Sequence, residues 1–192
     1  MTISRAFYMG VYHVTEAQYD AVMWNKDKES NYPAGGHSWN DAMAFCKKLS
    51  EMTKKRVRLP TEAQWEYACR AGTTTAFFFG DDSDKLADYA WYGENSDDKY
   101  HPVGQKKPNP LGLYDMYGNA WQWCSDWFSE KYDSSAKVDP QGPATGEKRV
   151  MRGSSFCKDY GGWESRSASR DFRDPNAGGP VGFRVLVPAG RD

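Results

Sequence analysis

The sequence predicts an α+β fold: two main helices packed on short antiparallel strands, with a large share of loop. Two segments within residues 38–72 have capped starts and apolar faces at helical spacing. From Thr73 onward no stretch keeps a helical period for long; glycines, prolines and aromatics alternate with short apolar pieces. Helices gathered at one end and strands with turns at the other mark the α+β class. The 192 residues fit a single domain, 1–192.

Each element has a local reason. Tyr8-Met-Gly-Val-Tyr-His-Val14 alternates as a strand does. Thr15-Glu-Ala-Gln18 is a capping box that opens a short helix to about Met23. Residues 24–37, with Pro33 and Gly35-Gly36, read as loop. Ser38 caps the first main helix, with Asp41 near its positive end. Ala42, Phe45, Cys46 and Leu49 share one face of it, at i, i+3, i+4 and i+7. Arg56–Pro60 reads as a short strand stopped by proline. A second capping box, Thr61–Gln64, opens the other main helix, with Trp65, Ala68 and Cys69 inward and Gly72 at its C-terminal cap. Glu62 and Glu66 are i, i+4 neighbours there, which predicts a solvated or salt-bridged face rather than a pair of catalytic carboxylates. Residues 80–110 read as loop, Ala120–Trp123 as a strand, and Val150–Arg152 and Gly182–Val187 as core strands.

Composition excludes several functions. A net charge of −1 gives no electrostatic case for nucleic acid or an anionic membrane. No apolar run approaches the ~20 residues of a membrane span, and Met1–Phe7 does not read as a signal peptide. Mean hydropathy is low, −0.83, yet 8 Trp, 12 Tyr and 9 Phe supply a core from few large residues. The four cysteines form no C-x-x-C pair and only three histidines accompany them, which argues against a zinc site.

The informative stretch is C-terminal. Residues 149–186 place arginine-containing frames, Arg149–Gly153, Arg166–Arg170 and Gly182–Arg184, around a middle rich in Ser, Gly, Asp and aromatics with neither helical nor strand period. An active site or a binding surface would sit in that middle. Long loops in a compact domain carry function or hold a metal.

Spaced phrases along nearly the whole chain then resemble one family. They are Met9–Thr15, Ser38-Trp39, Arg58-Leu-Pro-Thr-Glu-Ala-Gln-Trp-Glu-Tyr-Ala-Cys-Arg70, Gly112-Leu-Tyr-Asp-Met-Tyr-Gly-Asn-Ala-Trp-Gln-Trp123, Arg149-Val-Met-Arg-Gly153, Arg166–Arg170 and Gly182-Phe-Arg184. The sequence is similar to the formylglycine-generating-enzyme (sulfatase-modifying-factor) domain family, which implies a C-type-lectin-like fold. In that family the enzyme is a copper oxidase that uses two C-terminal cysteines to convert a substrate cysteine to formylglycine. Soft thiolates suit Cu(I). Cys157 lies near the first position, but Tyr160-Gly161-Gly162 stands where the second is needed, so no copper is expected. Cys46 and Cys69 match disulfide-forming positions whose partners here are Val185 and Ser167, which implies reduced, buried thiols. The resemblance also implies a structural Ca²⁺ cage from Asp115, Gly118, Ala120 and Gln122, with carboxamide and carboxylate oxygens at its ends and backbone carbonyls between. A second, weaker calcium site would involve the regions of Asp88 and Asp98.

Within the family, the layout resembles the variable proteins of diversity-generating retroelements, in which adenine-directed mutagenesis diversifies a C-terminal segment displayed on a lectin-like scaffold. The implied function is binding of a protein or surface ligand through residues 157–180. Tyr160, Trp163 and Phe172 would be anchors; Asp159, Glu164, Asp171, Asp174 and Asn176 would be polar contacts, with Gly161 among them. Arg166, Ala168, Arg170, Pro175 and Gly182–Arg184 would be framework. Aromatics give rigid contact area at low entropic cost, and short polar residues adapt their hydrogen bonds. The alternative is an enzyme using Cys157, either an oxidase or a chemistry with Asp159 and Glu164 beside the thiol; no neighbouring histidine supports a Cys–His nucleophile.

Overall fold

The computed structural model describes residues 2–132, 138–157 and 165–190. Among the described residues three α-helices form, each closed at its start by the side chain the sequence offers, and a short 3-10 helix, Ser83–Asp88, lies within the stretch read as loop. Thr15 caps α1 (Glu16–Trp24), Ser38 caps α2 (Trp39–Thr53) and Thr61 caps α3 (Glu62–Arg70), and each box is reciprocal, with Gln18, Asp41 and Gln64 returning a bond to the cap. At the end of α3 the left-handed cap is Ala71 (φ 47°), with Gly72 following at φ 92°. The chain therefore turns one residue before the glycine that the sequence marks.

Two sheets organise the rest. β1 (Phe7–Met9) pairs antiparallel with β6 (Leu186–Pro188). The larger sheet contains β2 (Trp121–Trp127), β3 (Arg149–Arg152), β4 (Arg170–Arg173) and β5 (Val181–Gly182), in the order β4-β3-β2-β5. β2 and β5 run parallel, which departs from the all-antiparallel expectation.

Several expected strands are shorter. The first ends at Met9, because beyond it the Gly10 and Val11 carbonyls accept from the Arg184 guanidinium instead of a neighbouring strand. Residues 56–60 contribute only one bridge, Arg58 to Leu186, and Pro60 has no N–H to extend it. The 182–187 stretch divides into β5 and β6, each serving a different sheet. Conversely, residues 170–173, which show no strand period, form the edge strand β4, with Val150 opposite Phe172 and Arg152 opposite Arg170.

β2 sits at the centre of the molecule. Its alternation sends Trp121 and Trp123 into a cluster with Tyr19, Phe45 and Phe183 beneath α1 and α2. Cys124 faces the other way, into a cluster with Trp65, Cys69, Tyr117 and Val150 beneath α3. Both faces of this strand are buried, so the helices and loops of the two halves share one sheet.

Candidate functional site

The described part of the expected surface is β4 and the turn after it. β4 is an edge strand, yet its first residue is deeply committed. Arg170 donates to both carboxylate oxygens of Glu62, Nε to Oε1 at 2.8 Å and Nη2 to Oε2 at 2.6 Å, and also to the Ser129 carbonyl. This fork-to-fork geometry is the strongest form of a carboxylate–guanidinium pair. Its neighbour on β3, Arg152, is fully buried; it pairs with Glu66 and lies 3.6 Å from Glu62, and it also donates to the Ser169 carbonyl. Glu62 itself is only 5% exposed. The expectation of a salt-bridged face on α3 is met, but Glu62 is not solvated: β2, β3 and β4 cover it. Its hidden role depends on partners about a hundred residues away, which no local pattern could reveal.

A carboxylate beside this lattice responds to it. Asp126 on β2 accepts from the Glu62 amide at 2.9 Å and from the Ser125 hydroxyl. Burial, with the Glu62 carboxylate adding to it, pushes the Asp126 pKa up to about 6, against the opposing hydrogen bond from the Glu62 amide.

Outside the lattice the surface is aromatic and cationic. Phe172 is 37% exposed and packs 4.1 Å from Phe128 between ring centroids, with Lys148 Nζ 4.7 Å above its own ring. The Arg170 guanidinium lies over Phe128 and Tyr132, and the Tyr132 hydroxyl donates to Glu62. Cations and rings thus alternate from Lys148 to Tyr132. Tyr132, 63% exposed, has no sequence signal beyond being an aromatic in a polar excursion.

The polar residues of the expected set divide. Asp171 Oδ1 accepts the Phe172 amide, and Asp174 Oδ1 accepts the Asn176 amide, closing a turn. The Asn176 side chain accepts from Asn40 at the start of α2, and Asn40's amide donates to the Pro175 carbonyl. Asn176 is therefore a fastening as much as a contact. Asp159, Tyr160, Gly161, Trp163 and Glu164 lie outside the described residues. Arg166 and Ala168, expected as framework, are exposed, whereas Ser165 and Ser167 are fully buried. Ser167 holds this part of the frame, through its amide to the Ala76 carbonyl and its hydroxyl to Tyr117. Arg184 behaves as the frame reading requires: fully buried, it ties Gly10, Val11, Tyr114 and Gln122 together.

Cys157 is half-buried at the start of the segment. Phe156, before it, is fixed by its backbone: its carbonyl accepts the Ser96 hydroxyl at 2.6 Å and its amide donates to the Asn119 carbonyl. Tyr100 packs 4.5 Å from Phe156, and burial, with the Cys157 thiol close by, pushes the Tyr100 hydroxyl up to about 12. The other three cysteines are buried in the two core clusters, where burial raises each thiol pKa. The other three thiols are committed to the buried cores, so among the described residues the cysteines do not present a two-thiolate copper site. Ser167 and Tyr117 both act on the Cys69 thiol, lowering its pKa against the larger effect of burial, and Val185 packs on the cluster that contains Cys46.

The implied calcium cage does not fit either. Both lone pairs of Gln122 Oε1 are taken, by Trp65 Nε1 at 2.7 Å and Arg184 Nε at 2.6 Å, and the Gln122 amide nitrogen donates to the Asp115 carbonyl. A guanidinium against that oxygen opposes a cation there. The Ala120 carbonyl accepts from His13, and the Gly118 carbonyl accepts from the Ala120 amide. Asp115 accepts the Gly104 amide through Oδ2, while its buried Oδ1 has no partner. In the region of the weaker site, Asp88 is paired with Lys107. Among the described residues no three His, Cys, Asp or Glu side chains gather to hold a metal ion.

A small core shared by three capped helices, a central sheet and long loops that carry an outward edge strand defines a C-type-lectin-like scaffold. The chain belongs to the sulfatase-modifying factor enzyme 1-like domain family, whose model matches residues 1–189. It is 39% identical over 174 residues to a formylglycine-generating enzyme of Streptomyces coelicolor, covering 83% of this chain and 54% of that protein. To the formylglycine-generating enzyme of Bos taurus it is 36% identical over 171 residues, covering 82% and 44%. The chain thus spans about half the length of these relatives. Among solved structures, Treponema denticola variable protein 1 matches with a TM-score of 0.85 and 29% identity, covering 94% of this chain and 84% of that one. PvdO from Pseudomonas aeruginosa matches with a TM-score of 0.86 and 27% identity, covering 98% and 82%.

Proposed function

We propose that this chain is a ligand-binding variable protein that presents residues 157–180 to a protein or surface ligand. One observation carries the reading: the edge strand is locked from within while its outer side chains remain at the surface. Arg170 and Arg152 are consumed by Glu62 and Glu66, whereas Phe172, Asp174 and Asn176 are exposed and Asp171 is half-buried. Exposed aromatics set among short polar residues suit recognition. The likeness to a variable protein over 94% of the chain supports the same reading. The decisive experiment is to sequence the locus from independent isolates. Differences confined almost wholly to codons 157–180, with a near-copy of that segment beside a reverse transcriptase, are expected; identical segments across isolates would sink the proposal.

A second reading rests on the 39% identity to a formylglycine-generating enzyme and on a half-buried Cys157. It requires Cu(I) binding and conversion of a cysteine-containing peptide to formylglycine, both lost in Cys157→Ala. A displayed binder gives neither result.

A further inference from the structure

Among the described residues, the hydrogen bonds that attach the C-terminal segment to the body of the protein fall mostly on its main chain. The Ser167 amide donates to the Ala76 carbonyl, and Arg152 donates to the Ser169 carbonyl. Residues 170–173 are held by the backbone ladder to β3. Further along, the Asn40 amide reaches the Pro175 carbonyl, the Gly36 amide and the Tyr100 hydroxyl reach the Gly179 carbonyl, and the Trp121 amide reaches the Pro180 carbonyl. A backbone bond is indifferent to the side chain at the position that makes it.

A minority of side chains fasten the segment as well, and they are specific. Arg170 grips Glu62, the Ser167 hydroxyl meets the Tyr117 hydroxyl at 2.8 Å, and the Asn176 side chain accepts from Asn40; within the segment, Arg173 donates to the Gly178 carbonyl and shapes the turn. Two glycines leave no room: a Cβ at Gly178 would fall 2.2 Å from the Gly36 carbonyl oxygen, and Gly179 has φ +144° with Arg173 against it.

We infer that the described segment separates into two sets, with ligand specificity set by Ala168, Asp171, Phe172 and Asp174, and placement of the surface set by Ser167, Arg170, Arg173, Gly178 and Gly179. This rests on the binding reading and refines it. Ala168 enters the specificity set although its sequence context marks it as framework, because it is exposed while its neighbour Ser167 is not. Phe172 is the most constrained member, since it packs on Phe128. Asp174 closes its turn through one exposed hydrogen bond, which Asn or Ser can replace.

The test is a thermal-melting series on the full chain. Ala168→Ser, Asp171→Tyr and Asp174→Asn are expected to move the melting temperature by less than about 3 °C, the scale of surface substitutions in a chain of this size. Ser167→Tyr, Arg170→Ser and Gly178→Ser are expected to lower it by more than about 6 °C or to abolish soluble protein. If Asp171→Tyr or Ala168→Ser proves as damaging as Arg170→Ser, or if Gly178→Ser and Ser167→Tyr prove harmless, the division is wrong. Where a holding-set variant gives no soluble protein, the milder Arg170→Lys, which loses the two-pronged contact with Glu62, must still melt below wild type. The melting series is independent of ligand and of natural variation. Uniform isolates would therefore overturn the binding reading, and the specificity role with it, while leaving the division into tolerant and holding residues standing; a failed division would leave the binding reading standing.

Discussion

Two buried titratable residues pull stability in opposite directions. His13 is neutral in the fold: its Nε2–H donates to the Ala120 carbonyl, while burial and then the Arg184 charge lower its pKa to about 3. A depressed histidine contributes stability that is present above its unfolded value of 6.5 and lost as pH falls toward 3. Asp126 has the reverse sign. Its folded pKa is raised from 3.8 to about 6, so its contribution is full below 3.8 and lost as pH rises through 6. Replacing Asp126 by Asn keeps an acceptor for the Glu62 amide and removes the cost of burying a charge. Asp126→Asn should raise the melting temperature at pH 7.5, by an amount on the order of 2 kcal/mol of stability. It should also make the melting temperature fall more steeply than wild type on acidification, because the opposing Asp126 contribution is gone. Parallel wild-type and variant curves from pH 7.5 to pH 4 would refute this assignment.

At the scale of elements, α3 and the C-terminal segment are joined by contacts that span much of the sequence. Ser167, bonded to Tyr117, also acts on the thiol of Cys69 on α3. Ser167→Cys should therefore form a disulfide with Cys69 under oxidising conditions. Chain-entropy reasoning for a loop of roughly a hundred residues gives about 4.7 kcal/mol, lessened by loss of the Tyr117 bond. Thiol titration and melting with and without reductant check this; two persistently free thiols would show that the pair does not face. The same element shows why Glu62 could be seen but not understood in sequence. Its i, i+4 relation to Glu66 is local, whereas its partner Arg170 lies 108 residues away. Likewise β4 follows from pairing with β3 rather than from any alternation in Arg170-Asp-Phe-Arg173.

The whole molecule is two apolar clusters on opposite faces of one sheet. Because β2 supplies Trp121 and Trp123 to one cluster and Cys124 to the other, neither half can lose its packing alone. Unfolding should be a single cooperative transition, with tryptophan fluorescence and far-ultraviolet dichroism tracing the same curve. Separate midpoints would mean that the clusters melt independently.

The sequence by itself determined the fold class, the starts of all three helices and the inward faces of α2 and α3. Those features depend on capping and periodicity within a few residues. It also marked the three arginine frames and the absence of a cysteine at Tyr160-Gly161-Gly162. Only the tertiary structure decided what the charges do. Glu62 is a buried counter-ion, Gln122 spends its oxygen on Trp65 and Arg184 instead of a cation, and Ser167 rather than the exposed Ala168 faces the interior, bonded to Tyr117. These outcomes depend on which distant groups meet after folding: burial turns an ordinary carboxylate or amide into one that must find a partner.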